Sequence, residues 1–392
     1  MVEFANIFEP DKKKPVAQPS HPPVIPASPA NGGTPVPKAD VAAKKSPVPG
    51  PAFPLDFSSL AGNTPDFRQT AGPVDNFSGF LDEPKNPPAA AQDAQTEAQN
   101  VFSAQEVYAK ALSLAQKIFT SDIKLSDNEI NQIIQFVNNI IDSILQETDQ
   151  ELLACVFGQA PAKEADPYAL NLLNVCILAL ELGVALEYDR KNLLKLGVAA
   201  FLHGIGMRSM RDLIHKQNKL SNKERERVEQ NPLEASAMLQ HIQDSLRDST
   251  IEIIEQAHER RDGSGYPAGL KNGQISEHAQ IVGLVDIYEA LTHQRPYRDR
   301  YNPLEALKII FKDKDTFDPR LTKVFLERIG IYPKGTFVEI NTKEICRVLR
   351  QNPDMPSCPV IRLTYGPDGQ KLEKTRDIDL SEGTRYYITR SV

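Results

Sequence analysis

The spacing of apolar residues between positions 103 and 330 constrains the fold of this chain more than any other feature. Isoleucine, leucine and valine recur there every three or four positions, as in residues 130–144, and this period places them on one face of an amphipathic helix. Ser-x-x-Glu boxes begin at Ser103, Ser126 and Ser221, and their side chains satisfy the unpaired amides of a helix start. No strand pattern interrupts these runs. We therefore predict an all-α domain, residues 103–330, of about nine helices.

The period changes to two after Pro333, which is typical of strands. Turn signals such as the Gly-Pro-Asp-Gly run at 366–369 separate the short apolar runs. We predict a small antiparallel β appendage of about four or five strands over residues 331–392. Its simplest role is that of a packing or interaction module. The strand-like runs lie at 337–340, 345–349, 360–363 and 386–388.

The first hundred residues differ in composition from the rest of the chain. Of the 30 prolines, 18 fall in this stretch, and its Pro, Ala, Ser and Gly content buries too little apolar surface to offset the entropy of ordering. We therefore predict that residues 1–102 are a disordered tail. Phe57, Phe67 and Phe77 recur in it ten residues apart. They are either short docking motifs for a partner protein or a chance arrangement in a linker.

Charge and cysteine content exclude several classes of protein. The net charge of −7 argues against a nucleic-acid polymer as partner, because phosphate neutralisation by basic residues supplies most of such affinity. The four cysteines form no C-x-x-C pair, so a zinc knuckle and a disulfide framework are not expected. The longest apolar stretch, residues 172–186, is too short for a membrane helix and contains Asn174 and Glu181. With no secretory signal pattern at the N-terminus, we expect a cytoplasmic protein without membrane insertion.

Two histidines at helix ends and one aspartate within a helix are the candidate site residues. His203 ends an apolar helix, His258 ends another, and Asp286 lies inside a third. Metal sites in helical bundles are built from side chains on facing helices. A Gly-rich run, residues 262–270, follows His258 and supplies a tight loop over such a site.

These stretches together resemble the HD-GYP family, a bacterial branch of the HD phosphohydrolases. The most specific part is the Asp-Gly-Ser-Gly-Tyr-Pro loop, followed in the same order by the Asp286 helix and an Arg-Pro-Tyr-Arg run. The resemblance covers residues 105–330 and implies an HD-domain-like helical fold with a two- or three-metal site that hydrolyses cyclic di-GMP. The segment after Tyr332 also resembles the β tail that often follows this domain. The loop residues are Asp262, Gly263, Gly265, Tyr266 and Pro267.

The chain departs from the family at the metal site. Glycine follows His203 where the family has the aspartate of its His-Asp signature, and Met207 replaces the family's lysine. The retained ligand positions are His203, His258 and Asp286. The ligand positions that carry other residues are Asn171, Gly204, Asn231 and Ala257.

The loss of four ligand positions favours a protein that binds its ligand over one that hydrolyses it. Losing one outer-shell partner costs about 10–100-fold in metal affinity or activity, and four ligand losses should cost far more. We therefore predict a degenerate HD-GYP signalling or scaffolding protein that binds a partner protein, with cyclic di-GMP as a further candidate ligand and no cofactor. The alternative is an active phosphodiesterase with one Fe or Mn ion on His203, His258 and Asp286, because three protein ligands plus water form a known catalytic geometry.

Each candidate residue also has a purely structural interpretation. His203 and His258 are then hydrogen-bonded core histidines, and Asp286 is a buried carboxylate that needs a partner. Arg295 and Arg298 match the family's Arg-Pro-Tyr-Arg run, where the guanidinium groups lie near the nucleotide. They equally fit a solvated turn with local salt bridges to Asp299 or Glu289. The Gly-rich loop fits both a recognition surface and simple packing, and the whole domain fits a structural bundle.

Overall fold

The helical and strand patterns of the sequence fall in the part of the chain that the structure describes. The computed structural model describes residues 103–121, 125–146, 150–158, 166–214, 216, 220–240, 244–295, 300–312, 315–352, 354–383 and 385–392. The predicted disordered tail, with Phe57, Phe67 and Phe77, lies outside these residues, and so does Arg298.

The helical part of the described chain contains twelve α-helices. A 3-10 helix, Ile205–Met210, joins α5 to α6, and a second, Asn272–Gln274, precedes α10. The helices are α1 (Ala104–Thr120), α2 (Asp127–Gln146), α3 (Glu151–Gly158), α4 (Pro167–Ala185), α5 (Arg190–Leu202), α6 (Arg211–Ile214), α7 (Asn222–Val228), α8 (Asn231–Met238), α9 (Asp244–Gln256), α10 (Glu277–Thr292), α11 (Pro303–Ile310) and α12 (Pro319–Ile329).

The predicted all-helical class is confirmed, whereas the predicted number of about nine helices is too low. The short helices α3 and α6 were not predicted, because eight and four residues are too few to develop a clear period. Residues 222–238 form two helices, α7 and α8, which also raises the number. Pro232 lies in the first turn of α8, where a missing amide hydrogen breaks no helical bond.

Capping fixes the predicted helix starts. Glu106, Glu129 and Glu224 each accept hydrogen bonds from the backbone amide and hydroxyl of the serine three residues earlier, at 2.8–3.1 Å. The serine hydroxyls accept in return from the glutamate amides at 3.3–3.4 Å. These reciprocal bonds confirm the three capping boxes, and they define where α1, α2 and α7 begin.

Helix α4 is the central helix of the bundle. Fourteen of its residues are buried, including Asn174 and Glu181, and it packs on α1, α5, α10 and α12. By length and composition α4 resembles a membrane span, but 78% of that window is buried inside the protein. The buried carboxylate of Glu181 has a partner within the fold, because Arg328 of α12 donates to it at 2.6 Å. We therefore assign α4 to the protein core.

The C-terminal part forms a five-stranded antiparallel sheet in the order β4-β3-β2-β1-β5. The prediction of a small antiparallel appendage is confirmed. Strand β4 was not predicted, because its Asp-Ile-Asp sequence has one apolar residue. Two buried rows cross the sheet, one made of Ile378, Ile361 and Val348, the other of Leu363, Cys346 and Val338. The strands are β1 (Phe337–Ile340), β2 (Ile345–Arg350), β3 (Val360–Tyr365), β4 (Asp377–Asp379) and β5 (Ile388–Ser391).

The described helices and the sheet belong to one compact unit. Lys334, just before β1, donates to Glu151 of α3 at 2.7 Å, and Arg300 donates to the carbonyl of Val392 at 2.8 Å. The boundary at residue 330 therefore stays a prediction from the change of period.

Candidate functional site

A cavity of about 110 Å³ lies where α4, α5, α8 and α10 meet. The three retained positions, His203, His258 and Asp286, all line it. Of the four substituted positions, Ala257 does not line it. The lining residues are Tyr168, Asn171, His203, Gly204, Met207, Leu213, Ile214, Lys216, Leu220, Val228, Asn231, His258, Tyr266, Asp286, Ala290 and Arg295.

His203 is held by the end of its own helix. It follows the last residue of α5, and its Nδ1 lies 2.7 Å from the carbonyl oxygen of Ala200. Because a carbonyl only accepts, Nδ1 carries the hydrogen and Nε2 faces Asp286, 3.3 Å from Oδ1. Burial lowers the pKa of His203, but the neighbouring Asp286 outweighs burial and raises it above its ordinary value. A protonated His203 forms an ion pair with Asp286.

His258 lies two residues beyond α9 and is covered by the Gly-rich loop. The Tyr266 ring stacks on it with centroids 4.9 Å apart and planes 14° apart. Its Nε2 is 3.5 Å from Nδ2 of Asn231, and its Nδ1 is 3.9 Å from Oδ2 of Asp286. Burial lowers the pKa of His258 to about 4, so this imidazole is neutral at pH 7.

Asn171 of α4 bridges two carboxylates of α10. Its Nδ2 lies 3.1 Å from Oδ1 of Asp286 and 2.6 Å from Oε2 of Glu289. Carboxylates at neutral pH only accept, so the amide donates one hydrogen to each. Burial raises the pKa of Asp286, but His203, His258 and Asn171 together lower it well below its ordinary range. Asp286 is therefore ionised and already has protein partners.

Arg295 is a buried wall of the cavity and not part of a solvated turn. Its Nη2 donates to Oε2 of Glu289 at 2.6 Å, and its Nη1 donates to the carbonyl of Pro167 at 3.0 Å. Arg295 is 5% exposed. The predicted salt bridge to Glu289 is present, whereas the predicted solvent exposure is wrong, because α4 and α10 enclose the guanidinium. The matching prediction for Arg298 lies outside the described residues.

Two buried polar residues of this site, Tyr108 and Asn174, were not predicted from the sequence, and Glu289 was predicted only as a local salt-bridge partner. Glu289 also accepts from Nδ2 of Asn174 at 3.1 Å, and the hydroxyl of Tyr108 donates to Oδ1 of Asn174 at 2.8 Å. The available signal was a polar residue within an apolar run. Asn174 interrupts α4, and Glu289 follows Asp286 by three positions on α10, which places both on one helix face.

A buried carboxylate shapes the Gly-rich loop from beneath. Oε1 of Glu259 accepts from the backbone amides of Ala268 and Gly269 at 2.7 and 3.0 Å, and Oε2 accepts from that of Leu270 at 3.0 Å. Glu259 is 3% exposed. A buried carboxylate with three charge-assisted bonds fixes the backbone of this loop.

The loop residues predicted to matter have different roles. Asp262 accepts from the amide and hydroxyl of Ser264 at 2.9 and 2.7 Å, which closes a local turn. A Cβ on Gly265 would lie 2.4 Å from the backbone nitrogen of Arg260, so the backbones approach too closely for any side chain. Gly263 has φ +81°, and the peptide before Pro267 is cis. Of the loop, only Tyr266 lines the cavity.

The substituted positions differ in their surroundings. A Cβ on Gly204 would meet Leu172 Cδ2 at 3.1 Å and Asn171 Oδ1 at 4.0 Å. Met207 lines the cavity and is buried. Ala257 is buried, and its carbonyl accepts from Arg260 at 3.2 Å. Among the described residues, no group of three or more His, Cys, Asp and Glu side chains is arranged to hold a metal ion.

Comparison with family models gives two matches. Residues 148–321 match an HD domain model, and residues 337–392 match the model of a KOW domain associated with HD domains. The first match contains every residue of the cavity wall described above, and the second coincides with the sheet.

The similar curated proteins are phosphodiesterases by name. The chain is 32% identical over 48% of its length to cyclic di-GMP phosphodiesterase PA4108 of Pseudomonas aeruginosa, covering 46% of that protein. It is 25% identical over 56% of its length to cyclic di-GMP phosphodiesterase PdeB of Borreliella burgdorferi, covering 57%. It is 28% identical over 48% of its length to 3'3'-cGAMP-specific phosphodiesterase 1 of Vibrio cholerae, covering 38%. The chain therefore spans about half the length of these relatives.

One solved structure is similar at lower identity. The HDG"Y"P protein Bd1817 of Bdellovibrio bacteriovorus aligns at 18% identity with a TM-score of 0.47. The alignment covers 59% of this chain and 73% of that one.

Proposed function

We propose a function on the premise that this chain carries an HD domain whose curated relatives are cyclic di-GMP phosphodiesterases of the HD-GYP family. In this proposal the cavity of the HD domain binds a signalling ligand and does not hydrolyse it. The protein then acts in cyclic dinucleotide signalling as a cytoplasmic receptor or scaffold that recruits a partner protein.

The bridge made by Asn171 carries this proposal. An amide nitrogen donates hydrogen bonds and has no lone pair for a metal ion, and here it lies within 3.1 Å of Asp286 and 2.6 Å of Glu289. A cation at the same carboxylates would face the hydrogens of this amide. Asn171 donates to Asp286 and His203 lies 3.3 Å from it, so protein groups occupy the surroundings of this carboxylate.

The remaining donors also argue against two metal ions. Two-metal sites hold their ions about 3.5–4 Å apart, which requires a bridging carboxylate and several imidazoles. Position 204 offers no side chain, and Asn231 directs its amide nitrogen towards His258 and the carbonyl of His203, both at 3.5 Å. This donor set does not fit a binuclear centre.

The cavity favours a small polar or partly inserted ligand. Its volume of about 110 Å³ is well below the ~300–1,000 Å³ typical of sites that enclose a whole drug-sized molecule. Arg295 and Lys216 contribute cationic groups to its wall. A cyclic dinucleotide on this wall would place one part in the cavity and the rest outside, with the guanidinium of Arg295 near a phosphate or a guanine edge.

A binding and turnover experiment tests the proposal. We expect the purified full chain, supplied with Mn²⁺ or Fe²⁺, to bind cyclic di-GMP in a calorimetric titration and to return it intact by chromatography. Tyr266→Ala removes a ring that lines the cavity and stacks on His258. This variant should bind cyclic di-GMP about tenfold or more weakly. Saturable binding that is accompanied by linear product contradicts the proposal, and so does an absence of binding to both cyclic di-GMP and cyclic GMP-AMP.

A second candidate function rests on the convergence of the three retained groups. Asp286 lies 3.3 Å from His203 and 3.9 Å from His258, so one metal ion on these side chains would give a mononuclear phosphodiesterase. Here the chain would carry about one equivalent of Fe or Mn after purification, and His258→Gln would remove the metal and the activity together. Metal content thus distinguishes the two candidates.

A further inference from the structure

Helix α1 contacts the cavity wall from outside the matched HD domain. It spans Ala104–Thr120, whereas the HD domain match begins at residue 148. Three separate contacts join α1 to residues that line the cavity or hold its lining. One uses Tyr108, and the other two use the C-terminal end of the helix.

The first contact is a chain of buried hydrogen bonds. Tyr108 donates to Asn174 at 2.8 Å, Asn174 donates to Glu289 at 3.1 Å, and Glu289 accepts from Arg295 at 2.6 Å. Each of these side chains is at most 5% exposed. Removing the Tyr108 hydroxyl would leave the buried Oδ1 of Asn174 without this donor. Asn174 would then be free to rotate away from the carboxylate that holds Arg295.

The second contact is a stack of aromatic and cationic side chains. The ring of Phe119 is parallel to that of Tyr168, with centroids 5.7 Å apart and planes 3° apart. The guanidinium of Arg295 lies 5.6 Å from the centroid of Tyr168. Tyr168 and Arg295 both line the cavity. Phe119 therefore supports the same two residues that the hydrogen-bond chain reaches from Tyr108.

The third contact joins the C-terminal end of α1 to the segment 205–214. Arg211 donates to the carbonyls of Phe119 and Ser121 at 2.8 and 3.3 Å, and Arg208 donates to that of Ser121. These arginines lie on the segment that presents Met207, Leu213 and Ile214 to the cavity. The carbonyls at a helix C-terminus attract cations, so the end of α1 fixes this segment.

Helix α2 provides a comparison on the same side of the bundle. Arg190 makes exposed bonds to Asp142 and Asn138 of α2, and none of these three residues lines the cavity. Packing of an apolar face alone therefore does not require the buried polar contacts that α1 makes.

We propose that α1 is a working part of the ligand site, in which Tyr108 and Phe119 are positioning residues for Arg295 and Tyr168. This inference rests on the proposed function, because it assigns α1 to the cavity that binds the ligand. The functional unit then begins at α1, and a displacement of α1 alters the cavity through Arg295, Tyr168 and the segment 205–214.

Hydrogen exchange on paired variants of the full chain tests this role without a ligand. Tyr108→Phe keeps the ring and removes the hydroxyl; Ile118→Val removes one methyl group from the same helix and touches no polar contact of the cavity. We expect Tyr108→Phe to accelerate amide exchange about fivefold or more at residues 168–174 and 286–295, and Ile118→Val to accelerate it in α1 alone. An equal acceleration of these two segments by both variants would overturn the proposal.

Ligand affinity gives the second readout, with cyclic di-GMP as the probe. We expect Tyr108→Phe and Phe119→Leu each to weaken binding about five- to tenfold at a temperature where both remain folded, whereas Ile118→Val stays within twofold of the unchanged chain. Affinities of all three variants within twofold of the unchanged chain would contradict a positioning role. If the unchanged chain binds no cyclic di-GMP, the proposed function fails, and the exchange experiment still decides the role of α1.

Discussion

A single buried carboxylate organises this site at the level of residues. Glu289 accepts from Asn171 and Arg295 at Oε2 and from Asn174 at Oε1. Nδ1 of His293 lies 3.4 Å from Oε1. Burial raises the pKa of Glu289, but Arg295, His293 and the two asparagines together lower it below its ordinary value. The guanidinium and the two amides thus depend on one ionised group for their positions.

Replacing this carboxylate by an amide should be strongly destabilising. Glu289→Gln keeps the volume but leaves the buried Arg295 without its counter-charge. We expect a loss of about 3–5 kcal/mol in the free energy of unfolding, as for other broken buried pairs. Chemical denaturation at pH 7 measures it. As a control, Glu327→Gln at the exposed pair with Lys323 should change stability by no more than about 1 kcal/mol. A similar effect of both substitutions would contradict the assigned importance of Glu289.

The pH dependence of the same variant has a definite sign. Because the pKa of Glu289 is lower in the folded state than its ordinary value of 4.5, the unfolded chain binds the proton first as the pH falls. Its stabilising contribution is therefore present above about pH 4.5 and decreases as the pH falls through the folded-state pKa. We expect the stability difference between the unchanged chain and Glu289→Gln to shrink from pH 5 towards pH 3. A difference that grows over this interval would show that the sign is wrong.

At the level of elements, the Gly-rich loop is fixed by sterics and by Glu259. The loop needs glycine at 265, where a Cβ would lie 2.4–2.5 Å from the backbone of residues 258–260. Gly273, in the 3-10 helix after the loop, has no atom within 4 Å of such a Cβ. The two glycines are therefore a matched pair for substitution.

We expect Gly265→Ala to move the loop away from His258, because the backbone must separate to admit the methyl group. The cost should be about 1–3 kcal/mol, as for other overpacked sites, and the stacking of Tyr266 on His258 should be lost. Gly273→Ala should be neutral within about 0.5 kcal/mol. Thermal unfolding gives the stability change, and the imidazole resonances of His258 report the loss of ring stacking. Equal melting temperatures for the two variants would refute this explanation.

The elements were more predictable from sequence than the contacts of the site. Local signals, such as the Ser103–Glu106 box, identify helix starts because both partners are three residues apart. The bridge from Asn171 to Asp286 joins residues 115 positions apart, and no local pattern contains that distance. The family resemblance predicted His203, His258 and Asp286 as residues of one site. The roles of Tyr108, Asn174 and Glu289 depend on how α1, α4 and α10 pack.

At the level of the whole molecule, the HD domain is supported on both sides by other parts of the chain. Helix α1 precedes it and contacts its cavity, and the sheet that matches a KOW domain follows it in the same compact unit. The chain spans about half the length of the curated relatives it matches. A docking role of the phenylalanines in the tail stays a prediction, and so does a packing or interaction role of the sheet.

Divalent metal ions should leave the stability of the whole protein unchanged. A site filled at 100 times its dissociation constant would raise the free energy of unfolding by about 2.7 kcal/mol, which corresponds to a rise of several degrees in the melting temperature. We expect a shift of less than about one degree with 100 μM Mn²⁺ or Fe²⁺ or with excess EDTA. The variant Asn171→His/Gly204→Asp/Asn231→His/Ala257→His, which supplies the family's ligands, should respond to the metal. A rise of several degrees in the unchanged chain would indicate a metal site.

Turnover of cyclic di-GMP by the metal-supplemented full chain tests the absence of hydrolysis most directly. The linear product is quantified by chromatography after prolonged incubation with Mn²⁺ or Fe²⁺, beside an active phosphodiesterase as positive control. We expect no more linear product than in the protein-free blank. Metal-dependent formation of linear product at catalytic turnover, lost in Asp286→Asn, would contradict the account.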